Sequence, residues 1–193
     1  MMTLRIVMSD KPRRPATYED LEALPPHYVG EIIAGELYAS PRPATPHALA
    51  ASSLGGELMG PFQRGRGGPG GWLILDEPEL HLGADVLVPD LAAWRRERMP
   101  QLPRVPALTL APDWLCEVLS PSTEARDRAA KLPVYARAGV RYVWMVDPDV
   151  RTLELFRLED ARYVLLNTWE GEVSVRAEPF EAIELSLRVL WEP

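Results

Sequence analysis

The sequence is poor in the residues that carry most recognisable catalytic schemes. It has a single cysteine, Cys116, in 193 residues. No intrachain disulfide can form, and no Cys-x-x-Cys pair can bind a metal or run a redox cycle. The sole cysteine has no nucleophile signature around it and reads as a buried structural residue. Its three histidines, His27, His47 and His81, show neither H-x-H nor H-E-x-x-H spacing, which argues against zinc. His47, at a helix start, reads as a capping or surface residue. Neither G-x-S-x-G nor a Walker lysine occurs, and the glycine-rich run from Gln63 to Gly71 lacks the setting of a phosphate loop. No apolar run approaches the ~18 residues of a membrane span. The opening Met-Met-Thr-Leu-Arg-Ile-Val-Met lacks an apolar core with a cleavage site. A soluble, cytoplasmic protein with no membrane partner is the expectation.

Excess positive charge is also missing. The net charge of -7 argues against tight, non-specific nucleic-acid binding by the whole surface. A local basic face remains open, from Arg64 and Arg66, the Arg95-Arg96-Glu97-Arg98 cluster, and Arg126, Arg128 and Lys131. Solvated arginines are the plainer reading of each cluster.

What is present is an ordinary globular mixture, 47% hydrophobic and 25% charged. The length suits one domain with a sizeable core. Twenty prolines are scattered through the connections. Residues 1–16, basic around Lys11, Arg13 and Arg14, are expected to form a flexible N-terminal arm. Residues 17–193 are expected to form a single domain.

Thr17 starts a short helix that Pro25-Pro26 stops. Tyr28 to Ala39 reads as a hairpin turning at Ala34-Gly35. Glu31 lies beside Ile32 and Ile33, and Glu36 reads as a solvated turn acid. The spacing predicts a helix from His47 to about Phe62, where Gly55 and Gly56 weaken it or mark close packing. Gly71 to Leu82 and Val86 to Trp94 read as two strands of a second hairpin. A short helix near Arg95 to Met99 is possible in the connection that follows. Then come a strand over 113–119, a helix over 124–138 closed by Gly139, and a strand over 140–146. A β-rich tail, from Thr152 to Leu187, follows. Leu190 and Trp191 fit either a dimer surface or ordinary core. The order implies a mixed α/β or α+β fold with helices against a central mixed sheet.

Two apolar runs each carry one acid. Val86-Leu-Val-Pro-Asp-Leu-Ala-Ala-Trp94 contains Asp90, and Trp114-Leu-Cys-Glu-Val-Leu119 contains Glu117. By period two, Asp90 shares a face with Val86 and Val88, and Glu117 with Leu115 and Leu119. A buried carboxylate is costly unless paired or metal-bound, so two in neighbouring runs suggest a shared cation. Each acid alone reads more readily as a solvated strand end, and the sharper reading comes from the pair, the lysine and the Pro-Asp step together. Hard oxygen ligands suit Mg²⁺ or Mn²⁺. Lys131, on the helix after Glu117, is placed to support an attacking hydroxide, although an i,i+4 ion pair with Asp127 explains it equally well. Two acids, a metal and a lysine suit phosphodiester hydrolysis.

At these residues the sequence resembles a known family. Val88-Pro-Asp90, Cys116-Glu-Val-Leu-Ser-Pro-Ser-Thr123, Arg126-Asp-Arg-Ala-Ala-Lys131, Tyr135-Ala-Arg-Ala-Gly139 and Tyr142-Val-Trp-Met-Val-Asp-Pro148 are similar to motifs of the bacterial Uma-two family. That family is restriction-endonuclease-like and belongs to the PD-(D/E)XK nuclease superfamily. Glu31-Ile-Ile-Ala-Gly-Glu-Leu37 resembles the family's hairpin motif. The resemblance implies an αβββαβ core with a β-rich C-terminal extension. It also implies metal ligation by Asp90 and Glu117, with Glu31 an additional acid near the metal. The superfamily's lysine lies two residues after the Glu. Here that position is Leu119, and Lys131 on the following helix matches instead. DNA is the implied substrate and a homodimer the implied assembly. A non-catalytic oligomeric or binding module keeping the nuclease fold is the alternative, and a hydrolase of small phosphorylated compounds is a third reading.

Overall fold

The structure is a computed structural model and describes residues 14–192. Most of the expected arm therefore lies outside the described residues. Arg14 pairs with Asp20 at 2.7 Å, and the Ala16 N–H donates to Gly35 at 2.7 Å.

Among the described residues, twelve strands are interleaved with short helices. α1 (Tyr18–Glu22) precedes the hairpin β1 (Tyr28–Ile33) and β2 (Glu36–Pro41). The turn residues Ala34 and Gly35 both have positive φ, as the two-residue primed turn requires. α2 (Thr45–Leu58) runs into a π-helical turn, Met59–Gln63. β3 (Trp72–Asp76), β4 (Leu80–Leu82), β5 (Asp85–Leu87) and β6 (Leu91–Arg95) follow, then β7 (Trp114–Val118). A helical stretch comes next: α3 (Glu124–Arg126), a second π-helical turn (Asp127–Lys131) and α4 (Leu132–Ala138). β8 (Tyr142–Asp147), β9 (Thr152–Glu159), β10 (Arg162–Glu170), β11 (Ser174–Val175) and β12 (Leu185–Ser186) complete the strands.

The main sheet has six strands in the order β10-β9-β8-β7-β6-β3. Only β7 and β8 are parallel, joined by the crossover through α3 and α4; the other neighbours are antiparallel. A smaller sheet has the order β2-β1-β5-β4. This is the expected mixed fold, a central mixed sheet flanked by helices. Alternation along β7 splits its side chains as the spacing predicts. Trp114, Cys116 and Val118 enter one core with α2 and the C-terminal tail, and Leu115 enters the other with α4 and the small sheet. Cys116 is fully buried.

The second hairpin departs from its sequence reading. Each long strand breaks in two, so β4–β5 join the small sheet while β3–β6 stay in the large one. The breaks coincide with Pro78 and Pro89, which cannot donate to a ladder. Asp90 therefore lies in a bend between β5 and β6, outside any strand. The face shared with Val86 and Val88 does not form. Residues 96–98 make a turn rather than a helix. Gly55 does mark close packing: a Cβ there would lie 3.3 Å from Asp76 and 3.4 Å from Leu91. Leu190 is fully buried and Trp191, half-buried, packs against the same core. Among the described residues no helix is long and apolar enough to cross a membrane.

Candidate active site

The antiparallel register pairs Leu91 with Cys116, so the next step past the end of β6 sets Asp90 opposite Glu117. The bend closes there through one bond: the Val118 N–H donates to Asp90 Oδ2 at 2.7 Å. The two acids thus meet at the C-terminal end of β7, where the layers on both sides of the sheet also deliver side chains.

From one layer comes the helical stretch after β7. Lys131 Nζ lies 2.9 Å from Glu31 Oε1, 3.2 Å from Glu117 Oε2 and 3.2 Å from Asp127 Oδ1. Lys131 is only 3% exposed and Asp127 only 2%. The expected Asp127–Lys131 pair forms, but it is one arm of a buried cluster rather than a surface bridge. The π-helical turn spanning these two residues sits at the site, where such irregularities often fall. Tyr135, one turn further on, donates its hydroxyl to Glu117 Oε1 at 2.5 Å.

Glu31 arrives from β1. Its Oε1 also accepts the Val88 N–H at 3.0 Å, and its Oε2 faces Arg126 at 3.6 Å. Arg126 bonds Ser40 on β2 and lies over the Tyr38 ring. Arg126 Nε, buried in this neighbourhood, makes no hydrogen bond, and Asp127 Oδ1 is met by the Lys131 ammonium alone.

From the other layer comes His47, in the first turn of α2. Its Nε2 lies 3.3 Å from Asp90 Oδ1. This histidine was read from sequence as a cap or surface residue; the structure makes it a partner of Asp90. Pro46-His47 at a helix start gave no hint of this, because the contact depends on how α2 packs across the sheet.

Charge sets the chemistry. Glu31, Glu117 and Asp127 face Lys131, Asp90 lies on the Glu117 side with His47 at its edge, and Arg126 is further off. Burial and the surrounding Asp127, Asp90 and Glu31 push Glu117 well above the usual carboxylate range, against the pull of Lys131. Burial pulls Lys131 down, but Glu117, Glu31 and Asp127 outweigh it and hold it as an ammonium. Burial likewise lowers His47, and Asp90, the Val118 backbone and Asp127 reverse the shift upward. Burial, then Glu117 and Glu31, keep the Tyr135 hydroxyl protonated and therefore a donor.

Among the described residues no three His, Cys, Asp or Glu side chains are arranged as a ready-made metal cage. Mg²⁺ does not require one: it keeps several waters and takes one or two carboxylates plus substrate phosphate oxygens. Hard oxygen donors and an excess of buried carboxylates over the one buried ammonium they share fit such a cation.

Comparison with known proteins bears on the fold and the family. No curated protein matches the chain. A crystal structure described as a putative nuclease belonging to DUF820, from Anabaena variabilis ATCC 29413, is similar in fold. It is 21% identical, with a TM-score of 0.72 over 92% of this chain and 98% of that one. The Uma2 family model, described as "Putative restriction endonuclease", matches residues 15–189. The chain therefore belongs to the Uma2 family of restriction-endonuclease-like proteins.

Proposed function

We propose that the protein is a divalent-metal-dependent endonuclease that hydrolyses DNA phosphodiester bonds. Asp90 and Glu117 hold Mg²⁺ or Mn²⁺, Glu31 completes the acid cluster, and Lys131 assists the attacking water. The observation that carries this reading is the buried ammonium of Lys131, 2.9–3.2 Å from Glu31, Glu117 and Asp127 at the end of β7. A structural ion pair needs one acid per base, and a surplus of buried carboxylates is costly without a further cation. Family membership supplies the reaction class.

Bound metal would supply a more acidic water and electrophilic pull on a phosphoryl oxygen. The chain's own residues then divide the remaining work. Lys131 is an ammonium, so it donates hydrogen bonds and positive charge to an attacking hydroxide and takes no proton from it. Glu31 and Asp127 aim that ammonium, and the Val88 N–H fixes Glu31 in turn. The Val118 N–H and His47 hold the two oxygens of Asp90. Arg126, 12% exposed in its side chain, is a cation near the site that suits an incoming phosphate. A homodimer in a reducing cytoplasm completes the reading, in keeping with the free Cys116.

Incubation with supercoiled plasmid in Mg²⁺ or Mn²⁺ tests it. Wild type should nick or linearise the DNA, and folded Asp90→Ala and Glu117→Ala should not. Intact plasmid with wild type under both metals would favour a non-catalytic module of the same fold.

A further inference from the structure

We propose that Tyr135 is a positioning residue, its hydroxyl fixing the carboxylate of Glu117 for divalent-cation binding. The inference rests on the reading of Glu117 as a metal ligand. Tyr135 is fully buried, and its O–H lies 2.5 Å from Glu117 Oε1, a charge-assisted distance. Asp127, Lys131 and Tyr135 recur every fourth residue, so the same side of one helical stretch presents them all to β7. Lys131 reaches both oxygens of Glu117 at 3.2 Å, while Tyr135 reaches only Oε1. Two donors of different length and origin thus bracket one carboxylate and remove its rotational freedom.

Packing alone does not account for the hydroxyl. A buried phenol needs a partner, but a backbone carbonyl suffices: Tyr163, on β10, donates to the Val140 carbonyl at 2.7 Å. Tyr135 instead donates to a buried carboxylate that is already crowded by Asp127, Asp90 and Glu31. A phenylalanine would fill the same volume and leave the strand, helix and lysine in place. Hydrogen bonds behind a metal-binding carboxylate are what orient it toward the ion.

The test is calorimetric Mn²⁺ binding to the full chain as wild type, Glu117→Ala and Tyr135→Phe, with circular dichroism and metal-free melting as fold controls. The expected result is saturable binding to wild type, none to Glu117→Ala, and a Kd about 10–100-fold weaker in Tyr135→Phe. Binding within about twofold of wild type in a folded Tyr135→Phe would overturn the positioning role while leaving the metal site standing. No binding to wild type would overturn both. Should Tyr135→Phe fail to fold, wild type labelled with ¹³C at the tyrosine Cζ and titrated with Mg²⁺ gives the answer. A shift of the Tyr135 signal at saturation supports the role, and an unmoved signal overturns it.

Discussion

Two buried acids of the same small sheet and its neighbours are treated in opposite ways. Asp85, 7% exposed, is balanced: Oδ1 accepts the Ala34 N–H at 2.7 Å, and Oδ2 meets one arginine, Arg137, at 3.1 Å. One acid caps one turn and pairs with one base, which needs no explanation beyond stability. Glu117, about as buried, lies among Glu31, Asp90 and Asp127 and shares a single buried lysine with two of them. A fold selected for stability alone gains nothing from that surplus. The contrast separates an acid that holds a turn from acids gathered to hold something else.

Removing Lys131 should expose the difference most. Lys131→Met leaves Glu31, Glu117 and Asp127 without their shared base. Urea unfolding of the metal-free protein should show a loss of about 3–5 kcal/mol, part of it recovered by Mn²⁺ if the cluster binds the ion.

Asp85→Ala should cost less, about 1–3 kcal/mol, by orphaning the Ala34 N–H. Arg137 contributes little because its side chain is 63% exposed. Plasmid cleavage by the variant at a temperature where it is folded should match wild type. A loss of cleavage there would erase the distinction between the two acids.

The smallest effect is a pH dependence. His47 binds its proton more tightly when folded, through Asp90, the Val118 backbone and Asp127. Its contribution is fully present below the unfolded histidine value of about 6.5 and is lost as pH rises through the higher folded value. Metal-free stability should therefore decline above about pH 6.5 by a component that His47→Gln removes. Parallel curves for the two proteins would show that Asp90 and His47 do not interact in solution.

Much of this site was legible because it is local. Strand β7 announces itself by alternation, and the alternation correctly separates Glu117 from Cys116. Lys131 follows from helical spacing after Ser120-Pro-Ser, and Gly139 ends that helix in the left-handed conformation. Apart from the strand break at Pro89, which is local proline chemistry, the differences are non-local. Pro89 was read inside a strand, whereas it breaks one and swings Asp90 into a bend. The i,i+4 pair of Asp127 with Lys131 forms as the spacing predicts, but the spacing does not say that Glu31 and Glu117 share the same lysine. His47 and Tyr135 reach their acids only after whole layers pack, at separations of 43 and 18 residues; nothing marks His47, while Tyr135 carries the one signal of lying a further turn along the side that presents Asp127 and Lys131. Leu190 and Trp191 posed the same problem at the tail, since an apolar pair at a terminus reads alike as core or contact.

The most direct measurement is the metal-free melting midpoint against that in saturating Mn²⁺, for wild type and Glu117→Gln. Glu117→Gln keeps the size of the side chain and removes its ability to ionise on binding a cation. The predicted result is a rise of about 5–10 °C for wild type at a hundredfold excess over Kd, with no rise for Glu117→Gln. Equal midpoints for wild type with and without Mn²⁺ would contradict a cation site at the end of β7, and so would an equal rise in both proteins.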